Sequence, residues 1–137
     1  MAERLDPALD HPAYLCGRLL AVYDGLQYAA QGEVNVTVAD RCYTLASTHP
    51  RLAFPKLANL SRKHLRKLRR DKPGAAFAID CQIQTLHELL AAKGAKYPSA
   101  LDLEEQGRFA IGFHHQRAER ARAIASKKEA DAKGEQQ

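Results

Sequence analysis

The sequence predicts an all-α fold, a single bundle of four to five helices over residues 1–125 with a disordered polar C-terminal tail over 126–137. Three observations predict it. Apolar residues recur every three or four positions through most of the chain. Proline and glycine punctuate those runs. No segment joins strand alternation to a hairpin turn such as Asn-Gly, and no repeat of fixed period is visible. At 137 residues the chain can build one core but not two sizeable ones.

Leu15, Leu19, Val22, Leu26 and Ala29 mark one face of a first helix over about 12–31, with Asp10 and Pro12 suited to its start and Gly32 to its end. A second, shorter helix is expected over about 37–47, although Val34, Val36 and Val38 alternate as a strand would. After the Thr48-His49-Pro50 break, a third helix over about 53–70 carries Leu57, Leu60, Leu65 and Leu68. Lys72-Pro73-Gly74 ends it, because proline cannot continue the hydrogen-bond ladder. A fourth, over about 75–93, shows Ala76, Ile79, Ile83, Leu86 and Leu90 and stops at Gly94. The fifth starts at Asp102, with Glu105 three residues on as in a capping box, and carries Leu103, Ala110, Phe113, Ala121 and Ile124. Beyond Ser126 the apolar stripe ends, so a frayed or disordered tail is expected.

Composition excludes several classes. A hydrophobic share of 45% with no Trp and few Gly or Pro rules against collagen-like, mucin-like and wholly disordered chains. Cys16, Cys42 and Cys81 leave one thiol unpaired in any disulfide scheme and contain no CxxC pair, which fits a reducing cytoplasm. No apolar run approaches the roughly 18 to 20 residues of a membrane span. The opening residues, with Glu3 and Asp6, do not read as an export signal. A cytoplasmic protein with no membrane association is therefore expected.

The net charge of +5 is unevenly placed. Between Arg51 and Pro73 stand nine basic residues and one acidic residue, Asp71, while the remainder of the chain is net −3. At about 100° per residue, Leu60, Leu65 and Leu68 fall within roughly 80° of Leu57. Arg62, Lys63, Arg66, Lys67, Arg69 and Arg70 occupy the opposite side, between about 120° and 280°. Such an array, unbalanced by i,i+4 carboxylates, repels itself and costs helix stability. A polyanion that neutralises them explains the array, and nucleic-acid binding of this kind is salt-dependent and blind to sequence. A solvated face, an acidic protein partner or a membrane surface also accommodates a basic helix. The membrane is the weakest of these, since the leucine stripe lacks Phe or Trp. A looser second set, Arg117, Arg120, Arg122, Lys127 and Lys128, is interrupted by Glu119 and Glu129.

Catalytic, cofactor and metal sites are not expected. His114 and His115 are adjacent, so they point about 100° apart on a helix, and no i,i+4 partner completes a ligand set. Asp80, Cys81, His87 and Glu88 spread over different faces of the fourth helix. No GxxxxGK[ST], GxGxxG or HExxH motif occurs. Gly107 and Gly112 each cost the fifth helix about 1 kcal/mol relative to Ala, which points to close approach of a neighbouring helix. Tyr14, Tyr23, Tyr28 and Tyr43 are candidates to stack on bases, but suit the edge of the core better, with their hydroxyls in water.

Four segments carry a family likeness: GRLLAV at 17–22, VNVTVADR at 34–41, HLRKLR at 64–69 and, most specifically, EQGRFAIGFHHQR at 105–117. In this order they resemble the C-terminal region of the type I-C CRISPR-associated large subunit, over about residues 12–117. That subunit has several hundred residues, and the portion that would meet the PAM and the crRNA end has no counterpart here. The resemblance therefore implies the separate small subunit that type I-C surveillance complexes (Cascade) make from an internal start, which Met1 fits, or an excised C-terminal domain.

What the resemblance implies is a non-enzymatic subunit that lies along the crRNA backbone filament and helps stabilise the target heteroduplex and the displaced strand. Its expected partners are the backbone subunits, the large subunit, further copies of itself docked head to tail through a heterologous interface, and crRNA and target DNA held without sequence preference. Arg62, Lys63, Arg66, Lys67, Arg69 and Arg70 are the expected principal phosphate contacts, and Arg117, Arg120 and Arg122 the secondary ones. The alternative is a structural spacer whose basic helix docks on acidic protein neighbours.

Overall fold

The computed structural model describes residues 10–94 and 97–135, and the ends of the predicted bundle and tail, 1–9 and 136–137, lie outside them. Among them five helices follow one another: α1 (Pro12–Gln31), α2 (Val38–Thr48), α3 (Pro50–Asp71), α4 (Pro73–Ala92) and α5 (Leu103–Glu135). Among the described residues there is no strand, and no helix is long and apolar enough to cross a membrane.

The bundle is organised around α1, against which every other helix packs, α5 most extensively. The sequence marks one apolar face on α1, but the helix is buried almost all round, including Ala13, Tyr14, Cys16, Gly17, Leu20, Ala21 and Tyr23. A helix apolar on all sides belongs at the centre of a core. Small residues set how closely α5 lies. A Cβ on Gly17 would collide with the Phe109 carbonyl, and one on Gly112 with the Tyr14 carbonyl, so the two backbones touch through glycine on both sides. Gly112 thus makes the close approach expected of it, whereas Gly107 faces open space.

The buried stripe of α5 is correspondingly different from the one its aliphatic residues mark. Phe109, Gly112, His115 and Gln116 are buried, while Leu103 is 85% exposed and Ala110, Ala121 and Ile124 lie at the surface. The Tyr14 hydroxyl and His115 Nδ1 share a hydrogen bond of 3.1 Å. Arg18 Nε donates to Gln116 Oε1 at 3.0 Å. Polar groups occupy this seam because each finds its partner across it. Beyond Ser126 the polar segment takes no part in the core; α5 continues through it as far as Glu135, and residues 127–134 are exposed to solvent.

Of the alternating valines at 34–38, Val34 and Val36 lie in a loop and Val38 opens α2. Thr37 caps that helix: the Asp40 N–H donates to Thr37 Oγ1 at 3.1 Å, and the Thr37 N–H to Asp40 Oδ2 at 3.0 Å. Two α1 side chains finish the cap, Gln27 Oε1 accepting from the Val38 N–H and Asp24 Oδ1 from the Ala39 N–H.

Helices α2, α3 and α4 are separated by single residues, His49 and Lys72, each with similar backbone angles outside the helical region and each followed by proline at the first helical position. A residue before proline is pushed out of the helical region, and proline at that first position loses no ladder hydrogen bond. That is why α3 and α4 begin at Pro50 and Pro73, earlier than the expected starts near 53 and 75. The connection from α4 to α5 crosses the α2–α3 corner. There Tyr97 stacks on Phe54 at 5.1 Å, and the Leu101 N–H donates to the Thr48 carbonyl at 2.8 Å. Asp102 and Glu105 then form the expected capping box of α5.

Candidate nucleic-acid interface

Helix α3 turns its apolar side onto α1 and α2 and its cations to solvent. Leu57, Leu65 and Leu68 are buried, with Leu57 at 2% and Leu68 at 1% exposure. Leu60, expected among them, is 38% exposed, because Ser61 and His64 fill the centre of the buried arc. Ser61 satisfies its hydroxyl on the Ala58 carbonyl at 2.8 Å. Burial holds His64 below the ordinary imidazole range.

The six predicted cations are all exposed, yet they are not equivalent. Lys67 is held: its Nζ donates to the Ala30 carbonyl, at the C-terminal end of α1, at 2.5 Å and to Asp71 Oδ2 at 3.2 Å. Arg69 reaches Asp80 Oδ2 of α4 at 3.5 Å, and Arg62 donates to Asn59 Oδ1 at 2.9 Å. Lys63, Arg66 and Arg70 have no hydrogen-bond or ion-pair partner among the described residues. The face therefore keeps three uncommitted cations at its middle, flanked by Arg62 and Arg69 with surface partners and by Lys67 held on the part-buried Ala30 carbonyl. Surface pairs of that kind contribute at most about 1 kcal/mol and do not neutralise the face.

The second set lies elsewhere. α3 and α5 pack on α1 but not on each other, so Arg117, Arg120 and Arg122 do not extend the α3 face. Arg117 is exposed, its guanidinium 5.4 Å from the Phe113 ring centre. Arg122 pairs with Glu119 at 3.0 Å. Arg120 is largely enclosed against Gly25 of α1, where the missing Cβ makes room for the guanidinium, and its Nη1 has no hydrogen-bond partner. Desolvation lowers its proton affinity, an effect that nearby Asp24 opposes.

The side chains with catalytic potential are dispersed. His115 is buried on Tyr14, while His114 is exposed. On α4, Asp80 is engaged by Arg69 and Gln84, and His87 Nε2 bonds the Tyr97 hydroxyl at 3.0 Å. Of the four tyrosines named from the sequence, Tyr14 and Tyr23 are buried, Tyr43 packs edge-on against Phe109 and Phe113, and Tyr28 is 54% exposed. Sequence reasoning did not find the α1–α5 polar seam, whose Tyr14, Arg18, His115 and Gln116 lie about 100 positions apart; its trace was the unusual density of Gly, His and Gln at 105–117.

None of the curated proteins compared with the chain matches it. The family model for CRISPR-associated protein (Cas_Csd1) matches residues 1–121, a span that takes in α1 to α4 and the half of α5 that packs on α1. The chain belongs to the Cas_Csd1 family of CRISPR-associated proteins and is a Cascade-related protein of type I-C.

Proposed function

We propose that the chain is a non-enzymatic small subunit of a type I-C surveillance complex, acting in the cytoplasm in antiviral defence. It stabilises the assembly and binds crRNA and target DNA, including the displaced strand, through the exposed side of α3. The observation that carries this reading is the division of α3, with Leu57, Leu65 and Leu68 inward and Lys63, Arg66 and Arg70 outward without counter-charges. Such a surface tracks phosphates and leaves sequence recognition to guide pairing. Arg62 and Arg69 join it by exchanging their surface partners for phosphate, and Lys67, held on the Ala30 carbonyl, adds its charge at the edge of the face.

A second reading, a spacer making protein contacts only, draws on α4. Its outer side exposes Phe77, at 71%, with Leu89, Ala78 and Cys81, and Glu88 is its one exposed carboxylate, which suits a protein neighbour better than a nucleic acid. Salt dependence separates the two. The logarithm of DNA affinity is expected to fall linearly with the logarithm of salt concentration, and reversing Arg66, Lys67 and Arg70 to Glu is expected to flatten that slope by about 0.7 to 0.9 for each phosphate that is no longer neutralised. A slope near zero for the unmodified chain favours the spacer.

A further inference from the structure

A second place in the molecule has the shape and chemistry of a ligand site, and it lies away from the α3 face. Between the C-terminal half of α1 and the middle of α5 is an open hollow of about 480 Å³ lined by Tyr28, His114, Arg117, Arg120 and Ile124. The α5 residues recur three and four apart and so share one side of that helix. Tyr28 stands opposite on α1, half its surface bare and its ring in contact with no other ring among the described residues.

Each wall supplies a different part of the same ligand. The exposed Tyr28 face is a stacking surface, open to any base because every base has a π-face. Arg117, its guanidinium over the Phe113 ring, presents its charge on the same wall. Arg120 lines the same hollow, and because its Nη1, shut in against Gly25, has no hydrogen-bond partner, its charge stays unneutralised and favours an anion beside it. Asp24 and Glu33 border the Gly32 end of the same region, so an anion is favoured at the Arg117 end and disfavoured there. An acidic peptide would use the cations and leave the tyrosine bare. A duplex cannot use the tyrosine, since its bases are covered by their neighbours in the stack.

We propose that this hollow seats one unstacked nucleotide of a single strand, its base on Tyr28 and its phosphate on Arg117 and Arg120. The proposal rests on the nucleic-acid reading of α3 and adds to it a preference for single strands. Both sites lie about the C-terminal half of α1: Lys67 is anchored on Ala30, and Arg120 against Gly25. Those two positions are about 140° apart around α1, so a strand serving both would pass over that end of the helix.

The test compares a fluorescent oligothymidylate of about 15 nucleotides, within the usual site-size range, with a duplex of equal length, using the full chain. Tyr28→Ala is expected to weaken single-strand binding roughly five- to hundredfold, the usual range for loss of one stacked base, while leaving duplex binding unchanged. Tyr28→Phe is expected to retain binding, and Arg120→Met to weaken it. An oligonucleotide carrying 5-bromouracil is expected to crosslink to the peptide containing Tyr28. Unchanged single-strand affinity in Tyr28→Ala, or crosslinks confined to α3, overturns the hollow as a site while leaving the α3 reading standing. Thymidine monophosphate competing as well as the oligonucleotide, nucleotide for nucleotide, overturns the strand as its occupant in favour of a free nucleotide. Absence of salt-dependent binding by the unmodified chain overturns both readings together.

Discussion

Two glycines of α5, five positions apart, are expected to respond to alanine with opposite signs. Gly107 faces open space, so Gly107→Ala adds helix propensity without a clash and stabilises the fold by about 1 kcal/mol. At Gly112 the same gain is overwhelmed, because the new methyl meets the Tyr14 backbone carbonyl, which cannot rotate away as a side chain would. Overpacking where side chains can yield costs about 1 to 3 kcal/mol. Here α1 and α5 must move apart, which also strains the Tyr14–His115 and Arg18–Gln116 hydrogen bonds, each contributing about 1 kcal/mol. The net expectation for Gly112→Ala is a loss of roughly 2 to 4 kcal/mol, offset included. At about 2 to 4 °C per kcal/mol for a chain near this size, the midpoint falls by roughly 5 to 15 °C, against a rise of a few degrees for Gly107→Ala. Urea and thermal unfolding followed by circular dichroism measure both. Equal effects, or a stabilised Gly112→Ala, would refute backbone contact as the determinant of the α1–α5 distance.

Stability is expected to fall as the medium becomes acidic. His64 and His87 are held below the ordinary imidazole value of 6.5 by burial, so the unfolded chain takes up protons first. Their contribution is complete above about pH 6.5, is lost as pH falls from there, and levels off once the folded imidazoles titrate. The double variant His64→Gln, His87→Gln should show a smaller drop in urea midpoint between about pH 7.5 and about pH 5, and an identical drop would count against burial as the cause. Arg120→Met keeps the stem packed on Gly25 and removes the unpartnered guanidinium, so it should leave stability unchanged or raise it by up to about 1 to 3 kcal/mol; a clear loss on thermal unfolding would show that the guanidinium is satisfied. Thr37→Ala should cost about 1 kcal/mol through loss of the α2 cap, and an unchanged urea midpoint would mean that the Gln27 and Asp24 hydrogen bonds suffice.

Local chemistry settled what lies close along the chain. The helix order, the breaks at Thr48-His49-Pro50 and Lys72-Pro73-Gly74, the Asp102 cap and the division of α3 into leucine and cation sides were legible because each depends on residues within about two turns. Tertiary structure decided what local pattern leaves open. It made α1 the central helix, set Leu60 at the edge of the buried arc, and drew Lys67 onto Ala30 and Arg120 against Gly25. It also turned the most distinctive segment of the sequence, 105–117, into a packing seam whose glycines and polar side chains acquire meaning only against Tyr14, Gly17 and Arg18. The reason is physical: periodicity reports which side of a helix is apolar, but a glycine or a buried polar group is interpretable only when the atoms opposite it are known, and those atoms lie about a hundred residues away in the chain.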